Sequence, residues 1–374
     1  MSDKQPPSVA TEVSEGAATS GSASDRRLVC QCRSLRANDP DEDEDELLAE
    51  SRMRDPVEDG KLSKKLKMTV PPGVDLSVFD DDLMVGALSF LGTHDLVSLA
   101  KTSKRFSLSQ EGQPSLIERA ASWAFMNSAS VEEKTRLPKY TNESHLELLR
   151  QLEIGRENLG FDLLVGDSFE HVDTLMTSKV YSNVMVVDCC MAVCRRNVMR
   201  AGRHFAQFNQ TKSGFDMGVI RPIDRSRFEA DSSDFAFGSL PFYPMPASSL
   251  VPTLSLEDRE RCHAHLLAAK SDRWKGNVHC ASFYDEDFLA EWSDWNACGI
   301  KDMPIGDDID GDVFGLLLDL DTGTLSLFLD GKYVGLIKDG LAGEYCWFIC
   351  AYIVGGIYTI TRKEVPPTES SMSE

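Results

Sequence analysis

The sequence predicts an α+β multidomain chain: a disordered N-terminal tail, a small helical module, then an antiparallel β-sandwich. Three observations predict it. Residues 1–74 are rich in Ser, Ala, Pro and charge and carry no sustained apolar period, a composition that cannot bury enough apolar surface to order itself. From about 75 to 158 apolar residues recur at helical spacing. From about 159 onward the pattern changes to short apolar or alternating runs broken by Gly, Pro and Asp, which reads as many short strands. The divisions are 1–74 for an acidic tail, 75–158 for the helices, 159–364 for the sandwich and 365–374 for a second disordered tail.

Within the first tail, Asp39–Glu46 is nearly all acidic and reads as a solvated run, while Lys61–Lys67 (KLSKKLK) is basic. The basic run is either a short nuclear-import signal or a chance Lys cluster. The helices follow. Asp80, Asp81 and Asp82 stand where an N-cap and first turn favour acids. Leu83, Met84, Ala87, Leu88 and Leu91 are expected on one inward face. Gly92 suits a stop, and Thr93 can cap a second helix holding Leu96, Val97, Leu99 and Ala100. A third short helix carries Phe106. Pro114 suits the first turn of a longer one with Leu116, Ile117, Ala120, Ala121 and Ala124 inward. Asn142 can cap another, with Leu146, Leu149 and Leu152 on one side.

The stretch Asp81–Phe106, DDLMVGALSFLGTHDLVSLAKTSKRF, resembles an F-box or F-box-like motif. The matching elements are Leu88, Phe90, Leu91, the Asp95-Leu96 pair, Leu99 and the Thr102–Phe106 end. The resemblance implies that the helices bind the adaptor subunit of an SCF-type (cullin–F-box) ubiquitin ligase through an apolar patch, with Leu88, Phe90, Leu91, Leu96, Leu99 and Phe106 as the contacting set. An F-box usually opens with Leu-Pro; here that place holds Val78-Phe79-Asp80. The alternative is a bundle whose Leu and Phe residues pack only on each other or on the sandwich.

Candidate strands are Phe161–Val165, Val180–Val187, His204–Phe208, Met217–Arg221 and Val278–Phe283. The clearest region is Gly311–Phe348. Phe314–Leu320 is one apolar run, and Asp321-Thr322-Gly323 turns the chain. Thr324–Leu329 then alternates, with Leu325, Leu327 and Leu329 on one face and Thr324, Ser326 and Phe328 on the other. Asp330-Gly331 is a turn of the kind that tolerates positive φ, before a third strand with Tyr333, Val334, Leu336 and Ile337. Trp347–Ile360 reads as buried strands, being too short to span a bilayer. Pro222–Leu256 has no clear period and is expected to be a large loop.

Several blocks resemble a SPRY (B30.2-like) domain, in that family's order, over roughly Gly160–Lys363. They are Met199–Phe208 (MRAGRHFAQF), Met217-Gly218-Val219-Ile220-Arg221, the Gly311–Gly335 hairpins and Gly343–Phe348. The resemblance implies a β-sandwich that binds a protein or peptide through its inter-strand loops and does no catalysis. The expected ligand-binding residues are Tyr243, Tyr284, Asp285, Trp292 and Trp295 in loops and Arg221 at a strand end, since loops carry recognition and aromatics and Arg dominate hot spots. Against this, each Trp taken singly is as well explained by the core.

Other constellations are set aside. Asp321-Thr322-Gly323 is one aspartic-protease-like triplet where that chemistry needs two carboxylates. Gly306–Asp312 (GDDIDGD) fails the EF-hand pattern at both ends and reads as an acidic turn. Cys262, His263, His265, His279 and Cys280 lack paired zinc-ligand spacing. Cys189, Cys190 and Cys194 read as a buried strand and turn. No nucleophile elbow, Walker loop or dinucleotide-binding glycine pattern occurs. No cofactor or metal is expected.

The chain has 374 residues and a formal net charge of −21. Acidity on this scale disfavours nucleic acid and anionic membranes as partners. Ten cysteines without a C-x-x-C pair, and no signal-peptide pattern at the start, point to reduced thiols in a cytoplasmic or nuclear protein. The function expected from the two resemblances is substrate recruitment for an SCF-type ligase. The alternative is a SPRY signalling scaffold with no ligase link.

Overall fold

The computed structural model describes residues 79–109, 112–165, 169–173, 176–182, 190–222, 267–268, 270–294, 298–304, 313–351 and 354–366. The N-terminal tail, the loop expected over 222–256 (save Pro222), the acidic turn at 306–312 and residues 367–374 lie outside the described residues.

The helical module is α1 (Asp81–Leu88), α2 (Thr93–Ala100), α3 (Lys104–Ser107), α4 (Leu116–Ser128), α5 (Val131–Arg136) and α6 (His145–Arg156). Its caps explain where the chain turns. Ser103, Ser115, Ser130 and Ser144 each accept a hydrogen bond from a first-turn amide, and Ser130 with Glu133 makes a reciprocal capping box. The expected cap at Asn142 is thus Ser144, and Pro114 sits just before α4, not in its first turn. At α2 the acceptor is long-range: Thr93 donates its backbone N–H to Glu153 of α6 at 3.0 Å, and its hydroxyl bonds the same carboxylate. Leu88, Leu96, Phe106, Ile117, Ala120, Leu148, Leu149 and Leu152 pack into one core. α5 was not anticipated; Val131 aside, it is polar and buries none of its residues.

The sandwich has fourteen described strands in two antiparallel seven-stranded sheets. One runs, in spatial order, β1 (Leu163–Val165), β4 (Cys190–Val193), β13 (Cys346–Ala351), β6 (Phe215–Ile220), β7 (Val278–Tyr284), β8 (Leu289–Asp294) and β9 (Cys298–Asp302). The other runs β12 (Lys332–Lys338), β11 (Thr324–Leu329), β10 (Val313–Asp319), β5 (Arg203–Gln210), β14 (Ile357–Arg362), β3 (Met176–Ser182) and β2 (Phe169–Asp173). The core lies between them. Phe208 meets Trp347 edge-on at 6.1 Å, and Phe215 bridges Tyr358 and Phe314.

The hairpins follow the sequence pattern closely. Leu325, Leu327 and Leu329 enter the core, while Phe328 joins Phe205 and Leu317 on the outer face. Gly315 makes room there: a Cβ would come within 2.6 Å of the Phe205 ring. Asp330 and Gly331 both take positive φ (49° and 79°), the turn that matches strand twist.

The helices sit against one end of the sandwich through buried charge. Arg200 contacts Glu143 at 2.7 Å, both side chains at most 3% exposed, and reaches Glu344 at 3.7 Å. The Tyr140 ring lies against both guanidinium groups of Arg200 and Arg273, at 4.9 and 4.5 Å. Arg362, at the end of β14, donates from one nitrogen to the carbonyls of Gly155 and Glu157, closing the C-terminus of α6.

Candidate protein-interaction site

α1 has two apolar faces. Met84, Val85 and Leu88 point into the module's core. Leu83 and Ala87, four residues apart, share the other side of the helix, and Phe79 and Phe90 flank it just outside its two ends. That second set faces solvent: Phe79 is 47% exposed, Leu83 67% and Phe90 87%. Beside it, Asp82, Val85 and Gly86 form one wall of a cleft of about 510 Å³ whose other wall is Trp123 and Met126 of α4. Those two are also more than half-exposed or close to it, at 50% and 58%. The cleft is also lined by Glu118, Arg119, Ser122 and His145, so exposed apolar residues stand here among charged ones, and large apolar side chains exposed together mark an interaction surface.

The six residues expected to contact an adaptor divide accordingly. Phe90 is exposed. Leu88, Leu96 and Phe106 are buried in the module's core, and Leu91 and Leu99 pack partly against it. The expectation that all six face a partner is therefore corrected: most of the pattern's leucines hold the three short helices together. Leu83 and Phe79 present the surface instead, and Leu83, expected inward with Ala87, points out. The signal was present in the i, i+4 spacing, but α1 has an apolar residue for each face, and inward burial claimed the whole set.

On the sandwich, strand register sorts the expected ligand residues to different places. Tyr284 and Asp285 end β7 at the end of the sandwich away from the helices, beside the β5–β6 turn. Arg221 follows β6 at the opposite end, near the helices. Trp292 lies mid-strand in β8, and Tyr243 and Trp295 lie outside the described residues.

Each of the described four has internal work. Arg221 is fully buried; it donates to the carbonyls of Ala342, Glu344 and Lys275 at 2.6–3.0 Å and lies 4.0 Å over the Tyr345 ring. Burial pulls its pKa down. Asp285 accepts the Gly214 and Phe215 amides, both at 2.8 Å, and Gln210 Nε2 at 3.0 Å, so it fastens the β5–β6 turn. Burial pushes its carboxyl up, against those hydrogen bonds. The Tyr284 hydroxyl donates to Glu286 at 2.6 Å and is pushed up by burial and by that carboxylate. Trp292 is half-buried, under the Lys338 ammonium at 5.0 Å and against Gly299, where any Cβ would strike the indole. The expectation of exposure does not hold for Arg221 and Asp285, because strand ends carry backbone groups that need these side chains as partners, nor for Tyr284, which is buried at the end of β7 with its hydroxyl on Glu286.

The exposed groups at the free end are their neighbours, Glu286, Asp287 and Phe288. Phe288 takes φ +53°, an uncommon conformation for an aromatic residue, and is 37% exposed. Behind them, on β8, Glu291 is 1% exposed. Neither of its carboxylate oxygens has a hydrogen-bond partner among the described residues. Burial, reinforced by Asp216 and Asp287, pushes its pKa up to about 8.

Among the described residues, no group of three or more His, Cys, Asp and Glu could hold a metal ion. Cys262, His263 and His265 lie outside them, while His279 and Cys280 are buried on β7. No described helix is long and apolar enough to cross a membrane.

No protein-family model matches the chain. No curated protein matches it either. Among solved structures it is similar to the crystal structure of the TRIM65 PSpry domain, at 11% identity and TM-score 0.34, covering 55% of this chain and 93% of that one. It is similar to the SPRY domain of human HERC1 at 11% identity and TM-score 0.31, over 54% and 99% of the two chains. A further human SPRY domain gives 10% identity and TM-score 0.29, over 52% and 96%. At these identities and scores the likeness bears no functional weight.

Proposed function

We propose that this chain is a protein-interaction protein that recruits substrates to an SCF-type ubiquitin ligase. The helical module is the dock for the ligase adaptor, and the SPRY-like sandwich holds a protein or peptide ligand through its loops. The observation that carries the reading is the solvent-facing set Leu83 and Ala87 of α1 with Phe79 and Phe90 flanking its ends, beside a helix whose opposite face already fills the module's core. The motif resemblance of Asp81–Phe106 supports the identity of the partner. The ligand end is the one away from the helices, where Glu286, Asp287 and Phe288 are exposed. A chain of this design does no chemistry itself; it raises the local concentration of a substrate near the ligase.

A second reading, a SPRY signalling scaffold with no ligase link, is favoured by Phe79-Asp80 standing where an F-box carries Leu-Pro. Size-exclusion chromatography of the purified chain with the SCF adaptor subunit separates the two. Co-elution supports the ligase reading, and separate elution of two folded proteins leaves the scaffold. Substitutions at Leu88 would not decide it, because that residue is in the core and its loss unfolds the dock.

A further inference from the structure

The helices and the sandwich enclose a second cleft, of about 850 Å³, that neither proposed interaction uses. Its walls come from α5 and α6 on one side and from β5, β13 and the end of β14 on the other. Its apolar lining includes Leu152, Phe205, Trp347 and Val365, and its charged lining is Arg136, Arg156, Arg203, Arg362 and Lys363 with Glu132, Glu133, Glu157 and Glu364.

Two of those arginines are internally matched. Arg156 makes a two-pronged pair with Glu133 at 2.7 and 2.9 Å, and Arg203 lies 3.6 Å from Asp319. Two guanidinium groups differ. Arg362 makes no ion pair with a carboxylate among the described residues; its hydrogen bonds go to carbonyls, from one nitrogen only. Arg136 pairs at 2.7 Å with Glu132, whose side chain is 71% exposed and so screened by water. The Arg136 stem is led into the cleft over Gly202, where a Cβ would sit 2.9 Å from its Cγ.

His204 lines the same wall. Its Nε2 lies 2.9 Å from the Ala201 carbonyl, which can only accept, so Nε2 carries the proton and donates. Burial above all, with the charges of Arg136 and Arg362, pulls its pKa down to about 4, so it is a neutral ring and adds no third charge. Arg362 is itself pulled down, by burial and then by Arg136. Both guanidinium groups line this one cleft, in a chain of net charge −21.

We propose that this cleft binds an oxyanion, a phosphate or carboxylate group of a small ligand, held between Arg136 and Arg362 with its apolar part over Phe205 and Trp347. A planar guanidinium suits two-pronged recognition of such groups, and the volume is that of an ordinary small-molecule site. The capping of α6 by Arg362 explains one of its nitrogens; it does not explain why Arg136 is led into the same cleft.

The test is isothermal titration of the full chain with inorganic phosphate, and separately with acetate, each at ionic strength held constant with sodium chloride. The variants are Arg136→Gln, Arg362→Gln and, as a control, the exposed Lys332→Gln. Circular dichroism checks each fold. Saturable binding that weakens at least about tenfold in Arg136→Gln and is unchanged in Lys332→Gln supports the site. The arm that binds identifies the group. If Arg362→Gln fails to fold, Arg136→Gln alone decides, since it leaves the α6 cap intact. Absence of saturable binding in both arms, or binding that Arg136→Gln does not weaken, overturns the proposal.

Discussion

Replacing Arg200 with Met tests how the helices are held to the sandwich. Arg200 is the cation shared by Glu143, at 2.7 Å, and Glu344, at 3.7 Å; the three side chains are 3%, 1% and 8% exposed. Removing it leaves two buried carboxylates with Arg273 as the remaining cation, 3.8 Å from Glu344 and 40% exposed. Breaking a buried pair from one side costs about 3–5 kcal/mol. Glu143→Gln is different. Arg200 then keeps Glu344 and the Tyr140 ring, so the loss is about 1–3 kcal/mol, that of a charged hydrogen bond. Urea unfolding followed by tryptophan fluorescence at pH 7 measures both. The Arg200→Met deficit should also shrink on acidification. Burial already raises the Glu344 pKa, which Arg200 opposes. Without Arg200 the folded-state value rises further, so the folded form takes up the proton first and stability returns as pH falls. A loss under about 1 kcal/mol for Arg200→Met, or a larger loss for Glu143→Gln, refutes the shared-cation argument.

Glu291→Gln should change the pH dependence of stability. Its folded pKa of about 8 against an ordinary 4.5 means the folded chain binds the extra proton between those values, so stability falls as pH rises through that window. The glutamine variant should be flatter from pH 5 to 9 and more stable at pH 9, by on the order of 3–5 kcal/mol; parallel stability curves would count against a buried unpartnered carboxyl. Two glycines should respond in opposite directions to alanine. A Cβ on Gly218 would collide with the Ala281 carbonyl of the neighbouring strand, whereas one on Gly86 meets nothing within 4 Å. Thermal melts should show Gly218→Ala destabilised by about 1–3 kcal/mol or more, and Gly86→Ala, inside α1, stabilised by up to about 1 kcal/mol. The reverse order is incompatible with the packing described.

The parts of the fold legible in the sequence are those fixed locally. The β10–β11–β12 hairpins could be read because Leu325, Leu327 and Leu329 alternate with a different outer set and Asp330-Gly331 supplies a turn with positive φ at both positions. β8 was missed for the converse reason. Glu291 and Ser293 sit at buried positions on the sheet's outer face, so hydropathy does not alternate with burial there. The caps at Ser115 and Ser144 displaced the expected Pro114 and Asn142 by one or two residues because several polar residues were equally suitable locally. The site was less legible than the fold. Arg221, at a strand end, and Asp285, in a loop, read as recognition residues, yet each satisfies backbone groups that the sequence does not bring near it: Arg221 bonds Ala342 and Glu344, and Asp285 bonds Gly214 and Phe215. The presence of Arg136 and Arg362 in the lining of one cleft has no sequence signal at all; it exists only once the helices and the sandwich come together.

The central claim is that the outer face of α1, with the flanking Phe79 and Phe90, is a dock. The direct measurement is the affinity of the purified full chain for the SCF adaptor subunit, for wild type, Leu83→Asp and Phe90→Asp, each with an unfolding curve. Both side chains are largely solvent-exposed, at 67% and 87%, so stability should stay within about 0.5 kcal/mol of wild type. The account predicts tight binding by wild type and a loss of at least about tenfold in both folded variants. Wild-type binding that survives both substitutions, or no binding by the folded wild-type chain, contradicts it.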